Sequence, residues 1–139
     1  MSDYFKTESE IQSLVESFEN CTIHPAEFRH YQHLTVALWY VWSLPYEEAV
    51  AKMTSGIRRL AEAYGKTGYH ETITLFWLRA VSNFAAKRSD GLAATTNRLI
   101  ERCNNKNYID EYYSAELLAS DKAKAEWVEP DLKSLPLLS

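Results

Sequence analysis

One stretch of the chain, from His30 to Leu44, constrains the fold more than any other. It reads HYQHLTVALWYVWSL, so two histidines one helical turn apart lead into an apolar run. On a helical wheel, apolar residues cover both sides of this run, with Leu34, Ala37 and Val41 on one side and Val36, Trp39 and Trp42 on the other. A helix that is apolar all round is a buried one. The sequence therefore predicts a buried helix at the centre of the fold.

Four further segments have helical periodicity, and the first and third predicted helices carry clear start or stop signals. Thr7 and Glu10 form the pattern of a capping box, Pro45 suits a first helical turn, and Gly65 suits the residue after a helix. The predicted main helices are 6–20, 27–44, 45–64, 69–87 and 91–103, followed by short helices over 108–129 and an extended, proline-containing tail over 130–139. No segment alternates in the manner of a strand. We therefore expect an all-α chain, folded as an up-down helical bundle.

Length, charge and composition limit the classes of function that are possible for this chain. A chain of 139 residues with 46% hydrophobic residues can bury a core as a single domain, 1–139. Its net charge of −4 argues against binding to nucleic acid, which requires a surplus of Lys and Arg. The start, MSDYFKTESE, lacks the pattern of a secretion signal, and the apolar runs are too short to span a membrane. We expect a cytoplasmic protein in which Cys21 and Cys103 are free thiols.

A second histidine-bearing segment opens the fourth predicted helix, where Tyr69, His70 and Glu71 precede another apolar run. Short links join the second, third and fourth helices, and short links make neighbouring helices antiparallel. The second and fourth helices should therefore begin at the same end of the bundle. Their helical positions direct His30, His33 and His70 inward at that end.

Three inward histidines at one level suggest a metal centre. Neutral imidazole is a ligand for Zn, Fe, Cu and Ni, and the positive ends of two helix dipoles favour the neutral form. We predict His30, His33 and His70 as ligands of a transition-metal ion, with Glu71 as a catalytic base or further ligand. Tyr40, Tyr69 and Trp77 would line the cavity and contact substrate. In this interpretation the protein is a metal-dependent enzyme that acts on a small molecule.

Two alternatives use the same residues. In the first, the protein is a metal-free binding module, in which two helix N-termini with Arg29, Lys66 and Tyr69 hold a small carboxylate or phosphate. In the second, the histidines are structural and the protein is a helical interaction protein, with the leucine-rich tail forming a homodimer. The sequence leaves all three interpretations open.

Three segments carry a resemblance to a known family: EFRHYQHLTVALWY, GYHETITLFWLRAV and YYSAELLASDKAKAEWVEPDLKSLP. In these segments the chain resembles a family of small, all-helical bacterial proteins, over most of its length from Glu19 to Pro136. The resemblance implies that the two histidine segments are a family signature. It implies no particular reaction.

Overall fold

The computed structural model describes residues 4–67, 69–87, 90–103 and 106–135. These residues form α1 (Glu8–Glu19), α2 (His30–Ser43), α3 (Tyr46–Ala63), α4 (Glu71–Ala86), α5 (Leu92–Cys103), α6 (Ala115–Leu118) and α7 (Asp121–Ala125), together with two 3-10 helices, Pro25–Glu27 and Lys106–Glu111. No described residue lies in a β-strand, so the predicted all-α class is confirmed. Within these ranges, no helix combines the length and the apolar character needed to cross a lipid bilayer.

The helix predicted to be central, α2, packs against α1, α3, α4 and α5. Five consecutive residues, 34–38, are buried, which covers every side of more than one helical turn. The one hydroxyl among them, on Thr35, donates a hydrogen bond of 2.7 Å to the carbonyl of Tyr31 within the helix. Further along, Trp39 and Trp42 are only partly buried. The prediction of a buried helix is therefore confirmed for the first half of the apolar run.

All five main helices begin one to three residues later than predicted, and the structure shows the cause for α2 and α4. The segment Pro25–Glu27 forms a 3-10 helix whose first free amide, on Ala26, is bound by Nδ1 of His24 at 3.0 Å. As a result α2 begins at His30 and not at residue 27. Likewise α4 begins at Glu71 and not at residue 69, because His70 takes the capping position. Parts of the predicted links and tail, at 68, 104–105 and 136–139, lie outside the described residues.

The C-terminal third packs on α4 through its own apolar cluster. Phe76 of α4 is surrounded by three buried residues that follow α5, namely Ile109, Tyr112 and Tyr113. Two hydrogen bonds tie the segment after α7 to this cluster. Thr72 Oγ1 donates to the carbonyl of Glu126 at 2.8 Å, and the hydroxyl of Tyr113 donates to the carbonyl of Val128 at 2.7 Å. This packing brings residues after 106 next to the start of α4.

Candidate functional site

A cavity of about 510 Å³ lies at the histidine-bearing starts of α2 and α4. His30, His33 and His70 all line it, as do Tyr69 and Trp77. The remaining wall is mainly apolar and comes from α2, α3, α4, the second 3-10 helix and α6. The structure therefore brings five of the seven predicted site residues to one cavity.

Both ring nitrogens of His70 are engaged by the backbone. Nδ1 accepts a hydrogen bond of 3.2 Å from the amide of Ile73, which caps α4. Because Nδ1 accepts, the proton of the neutral ring is on Nε2, which donates to the carbonyl of Leu118 at 2.7 Å. The ring thus joins the start of α4 to the end of α6 and is held in one tautomer.

His30 is also held by a carbonyl group. Its Nε2 lies 2.9 Å from the carbonyl oxygen of Cys103, at the end of α5. A carbonyl oxygen only accepts, so Nε2 carries the proton and donates. The ring meets Trp77 edge-on, with 4.6 Å between ring centroids. His30 therefore fixes the indole that forms part of the cavity wall.

His33 is the histidine whose ionisation is most strongly affected by its surroundings. Its pKa is lowered to about 4, mainly by burial and also by the nearby His30, while a hydrogen bond with the backbone of Phe28 opposes the shift. Its ring also packs against that of Phe28, with 4.2 Å between centroids. At neutral pH His33 is an uncharged polar group in the cavity wall.

Tyr69 stands at the edge of the cavity in a small polar network. Its hydroxyl donates to Oε1 of Glu71 at 2.5 Å, and the guanidinium carbon of Arg58 lies 4.5 Å from the centre of its ring. Arg58 also faces Oε1 of Glu71 at 3.6 Å. Burial and the bond to Glu71 raise the pKa of Tyr69, so its phenol is neutral. Tyr69 belongs to the described lining of the cavity and Glu71 does not. Glu71 therefore acts indirectly, by holding Tyr69 in place.

Tyr40, the other predicted substrate contact, does not belong to the described lining of the cavity. It lies seven residues beyond His33, which is about 10 Å further along the helix axis. Its hydroxyl donates to Oε2 of Glu19 at 2.7 Å and so joins α2 to the end of α1. On α2 the described lining reaches Ala37 and does not include Tyr40.

The histidines do not form a preassembled metal site in the described part of the chain. Among those residues, no group of three or more His, Cys, Asp or Glu side chains is arranged to hold a metal ion. The Nε2 atoms of His30 and His70 each donate to a carbonyl group, so they present no lone pair in this arrangement. The predicted transition-metal ion stays a prediction.

Several lining residues were not predicted from the sequence. Asn107, Ile109 and Asp110 come from the second 3-10 helix, and Leu118 comes from α6. The sequence between 106 and 118 contains no periodic pattern long enough to predict its position. The one sequence signal in this segment was Ser114, a residue type that favours the start of a helix. In the structure Ser114 caps α6, and its Oγ accepts a hydrogen bond of 3.1 Å from the amide of Leu117.

Comparison with models of known protein families, with curated proteins and with solved structures found no match for this chain. The resemblance drawn from the three sequence segments therefore stays a prediction.

Proposed function

We propose that the protein binds an uncharged, mainly apolar small molecule in the cavity lined by the three histidines. The observation that carries the proposal is the cavity itself, about 510 Å³ with aromatic, aliphatic and imidazole groups in its wall. Cavities of this size with a few polar groups among apolar ones are typical of small-molecule sites. Trp77 and Ile57 provide apolar surface, and neutral His33 provides a hydrogen-bonding group. We also propose that α2, α3 and α4 run up, down and up in the bundle.

The charge of the wall favours an uncharged ligand over the small carboxylate or phosphate considered from the sequence. The described lining contains no Lys or Arg, and its one carboxylate belongs to Asp110. Arg29 and Lys66, which were expected to hold an anion, are exposed and lie outside that lining. A buried anion without a cationic partner is strongly disfavoured.

The test compares two probes of the same shape, naphthol and naphthoate, by isothermal titration calorimetry at neutral pH. We expect naphthol to bind with at least about tenfold higher affinity, because naphthoate must desolvate a charge without gaining an ion pair. Equal or tighter binding of naphthoate would contradict an uncharged ligand. Absence of binding by both probes would contradict an apolar cavity that admits a bicyclic ring.

Cavity-filling variants locate the binding site. Ile57→Trp adds a bulky ring to the α3 wall and should abolish naphthol binding, and Thr74→Phe should do the same from α4. Ser55→Trp is the matched control because Ser55 is exposed on α3 and outside the cavity. Circular dichroism shows whether each variant remains helical. Undiminished binding in both folded cavity variants would place the probe elsewhere.

A transition-metal centre is the second candidate, and it is favoured by the presence of His30, His33 and His70 in the lining of the same cavity. Metal binding by His70 would require the ring to release a backbone partner, since both of its nitrogens are hydrogen-bonded and only an unprotonated nitrogen is a ligand. Elemental analysis of protein purified without chelator distinguishes the two candidates. Stoichiometric metal that is lost in His70→Ala and kept in His24→Ala would replace the metal-free proposal. His24 is a suitable control because it is exposed, outside the cavity lining.

A further inference from the structure

A second cavity, of about 530 Å³, lies on a different face of α4. Its wall comes from α4, α5, the second 3-10 helix and the residues near Tyr112. We call this cavity the basic cleft because four of its lining side chains are cationic, Arg79, Lys87, Arg98 and Arg102. The described lining contains no Asp or Glu, which is unusual in a chain with a net charge of −4.

Two of the four cations are held by neighbouring groups. The guanidinium carbon of Arg79 lies 4.3 Å from the ring centre of Trp127. The Arg98 guanidinium is 3.2 Å from Oδ2 of Asp90, and both side chains keep 46% of their surface exposed. These contacts fix the positions of the two cations. An exposed ion pair such as that of Arg98 contributes little and is readily exchanged for another anion.

The other two cations have no acidic partner among the residues that the structure describes. In the described ranges, no carboxylate oxygen lies within 4.0 Å of a side-chain nitrogen of Lys87 or Arg102. Arg98 and Arg102 are four residues apart on α5 and so project from the same face of that helix. Lys87 follows the end of α4. Positive charge from two helices therefore converges on one cleft.

Aromatic rings provide the apolar part of the cleft. Phe76, Phe84, Tyr108 and Tyr112 all line it. The Tyr108 and Tyr112 hydroxyls lie 3.0 Å apart and hydrogen-bond to each other. This bond, together with burial, raises the pKa of Tyr108, so its hydroxyl stays protonated and is available for hydrogen bonding. The cleft thus combines flat apolar surface with neutral and cationic hydrogen-bond donors.

We propose that the basic cleft is a second binding site, whose ligand is an aromatic phosphate. The aromatic side chains would contact the ring, while Arg98, Arg102 and Lys87 would bind the phosphate oxygens through charge-assisted hydrogen bonds. Phosphate matches the charge of the cleft better than a monoanion does, since the described lining holds four cationic side chains and no carboxylate. The site is independent of the histidine cavity, because none of these residues lines that cavity.

The experiment uses phenyl phosphate as the probe, titrated calorimetrically into the full chain. Inorganic phosphate provides the charge without the ring, and phenol provides the ring without the charge. In Ile57→Trp, where the histidine cavity is blocked and phenol cannot bind there, we expect phenyl phosphate to bind more tightly than either fragment. Arg102→Gln should weaken phenyl phosphate about tenfold, because it removes a charged hydrogen-bond donor.

Two controls keep the result specific. Arg59→Gln makes the same change at an exposed position of α3 outside the cleft and should leave the affinity unchanged. Ile57→Trp blocks the histidine cavity and should also leave phenyl phosphate binding unchanged. Lys87→Gln tests the second helix and should weaken binding in the same way as Arg102→Gln.

Three results would overturn the proposal. The first is absence of saturable phenyl phosphate binding at millimolar concentrations. The second is equal weakening by Arg102→Gln and Arg59→Gln, which would indicate general charge attraction. The third is tight binding of a single-stranded oligonucleotide with no binding of phenyl phosphate, which would assign the cleft to nucleic acid.

Discussion

At the scale of single residues, the three histidines differ in what their ring nitrogens do. His70 uses both nitrogens to cap α4 and to hold Leu118, and His30 donates to Cys103. His33 is set apart by its lowered pKa and by ring packing with Phe28. His33 is therefore the residue through which pH should act on this end of the protein.

The pKa of His33 predicts a loss of stability in acid. The folded pKa of about 4 lies below the ordinary histidine pKa of 6.5, so the unfolded chain binds the proton more tightly. The stabilising contribution is complete above about pH 6.5 and is lost as the pH falls towards about 4. Its full size is at most about 3 kcal/mol, given about 1.4 kcal/mol for each pKa unit.

Urea unfolding of chelator-treated protein at a series of pH values measures this effect. The variant His33→Phe has no ionisable ring at this position, so its free energy of unfolding should decline less between neutral and acidic pH. NMR titration of the His33 ring gives the pKa directly. If wild type and variant lose stability in parallel, His33 does not carry the pH dependence.

At the scale of helices, the periodicity of the sequence predicted which helices form, and local capping contacts decided where they begin. The Thr7 and Glu10 capping box is present, with Glu10 Oε1 accepting from the Thr7 amide at 3.0 Å. The start of α2 was placed too early because Pro25 is compatible with either an α-helix or a 3-10 helix. The capping role of His70 was missed because histidine is uncommon among helix caps.

The contact between α1 and α3 depends on the absence of a side chain at Gly56. A Cβ atom added there would lie 2.5 Å from both Cε2 and Cζ of Phe18. Phe18 is fully buried and stacks on Phe28 with 4.8 Å between ring centroids, so the ring has little room to move. The two helices therefore approach each other through glycine.

Gly56→Ala should destabilise the protein by about 2 kcal/mol, because overpacking outweighs the gain in helix propensity. The measurement is the free energy of unfolding in urea. Gly91→Ala is the matched control, since a Cβ atom there meets no atom within 4 Å. If Gly56→Ala were more stable than wild type, α1 and α3 would be able to move apart with only a small loss of free energy.

At the scale of the whole molecule, the candidate site is assembled from segments far apart in sequence. The hydrogen bond from His70 to Leu118 joins residues 48 positions apart, and that from His30 to Cys103 joins residues 73 apart. Helical periodicity gave the inward face of α2 and α4, which is why His30, His33, His70 and Trp77 were predicted to lie together. Helical periodicity contains no information about where residues 106–118 pack. The part of the cavity wall that this segment contributes was therefore not predictable.

Thr72 links that C-terminal third to the body of the protein. It is fully buried, its hydroxyl donates to the carbonyl of Glu126 at 2.8 Å, and its oxygen accepts from the amide of Val128 at 3.3 Å. Thr72→Val keeps the shape of the side chain but leaves both backbone groups without their partner. The expected loss is about 2 kcal/mol, since unsatisfied buried polar groups carry a desolvation penalty.

This loss should appear first as local opening, because the two bonds that Thr72→Val removes tie the segment after α7 directly to α4. Amide hydrogen exchange at Val128 should accelerate about thirtyfold in Thr72→Val, while exchange within α2 should change less. Thr54→Val is the control, because the Thr54 hydroxyl bonds within α3, to the carbonyl of Val50 at 2.9 Å. Equal acceleration in α2 and at Val128 would mean instead that the C-terminal third and the bundle unfold as one cooperative unit.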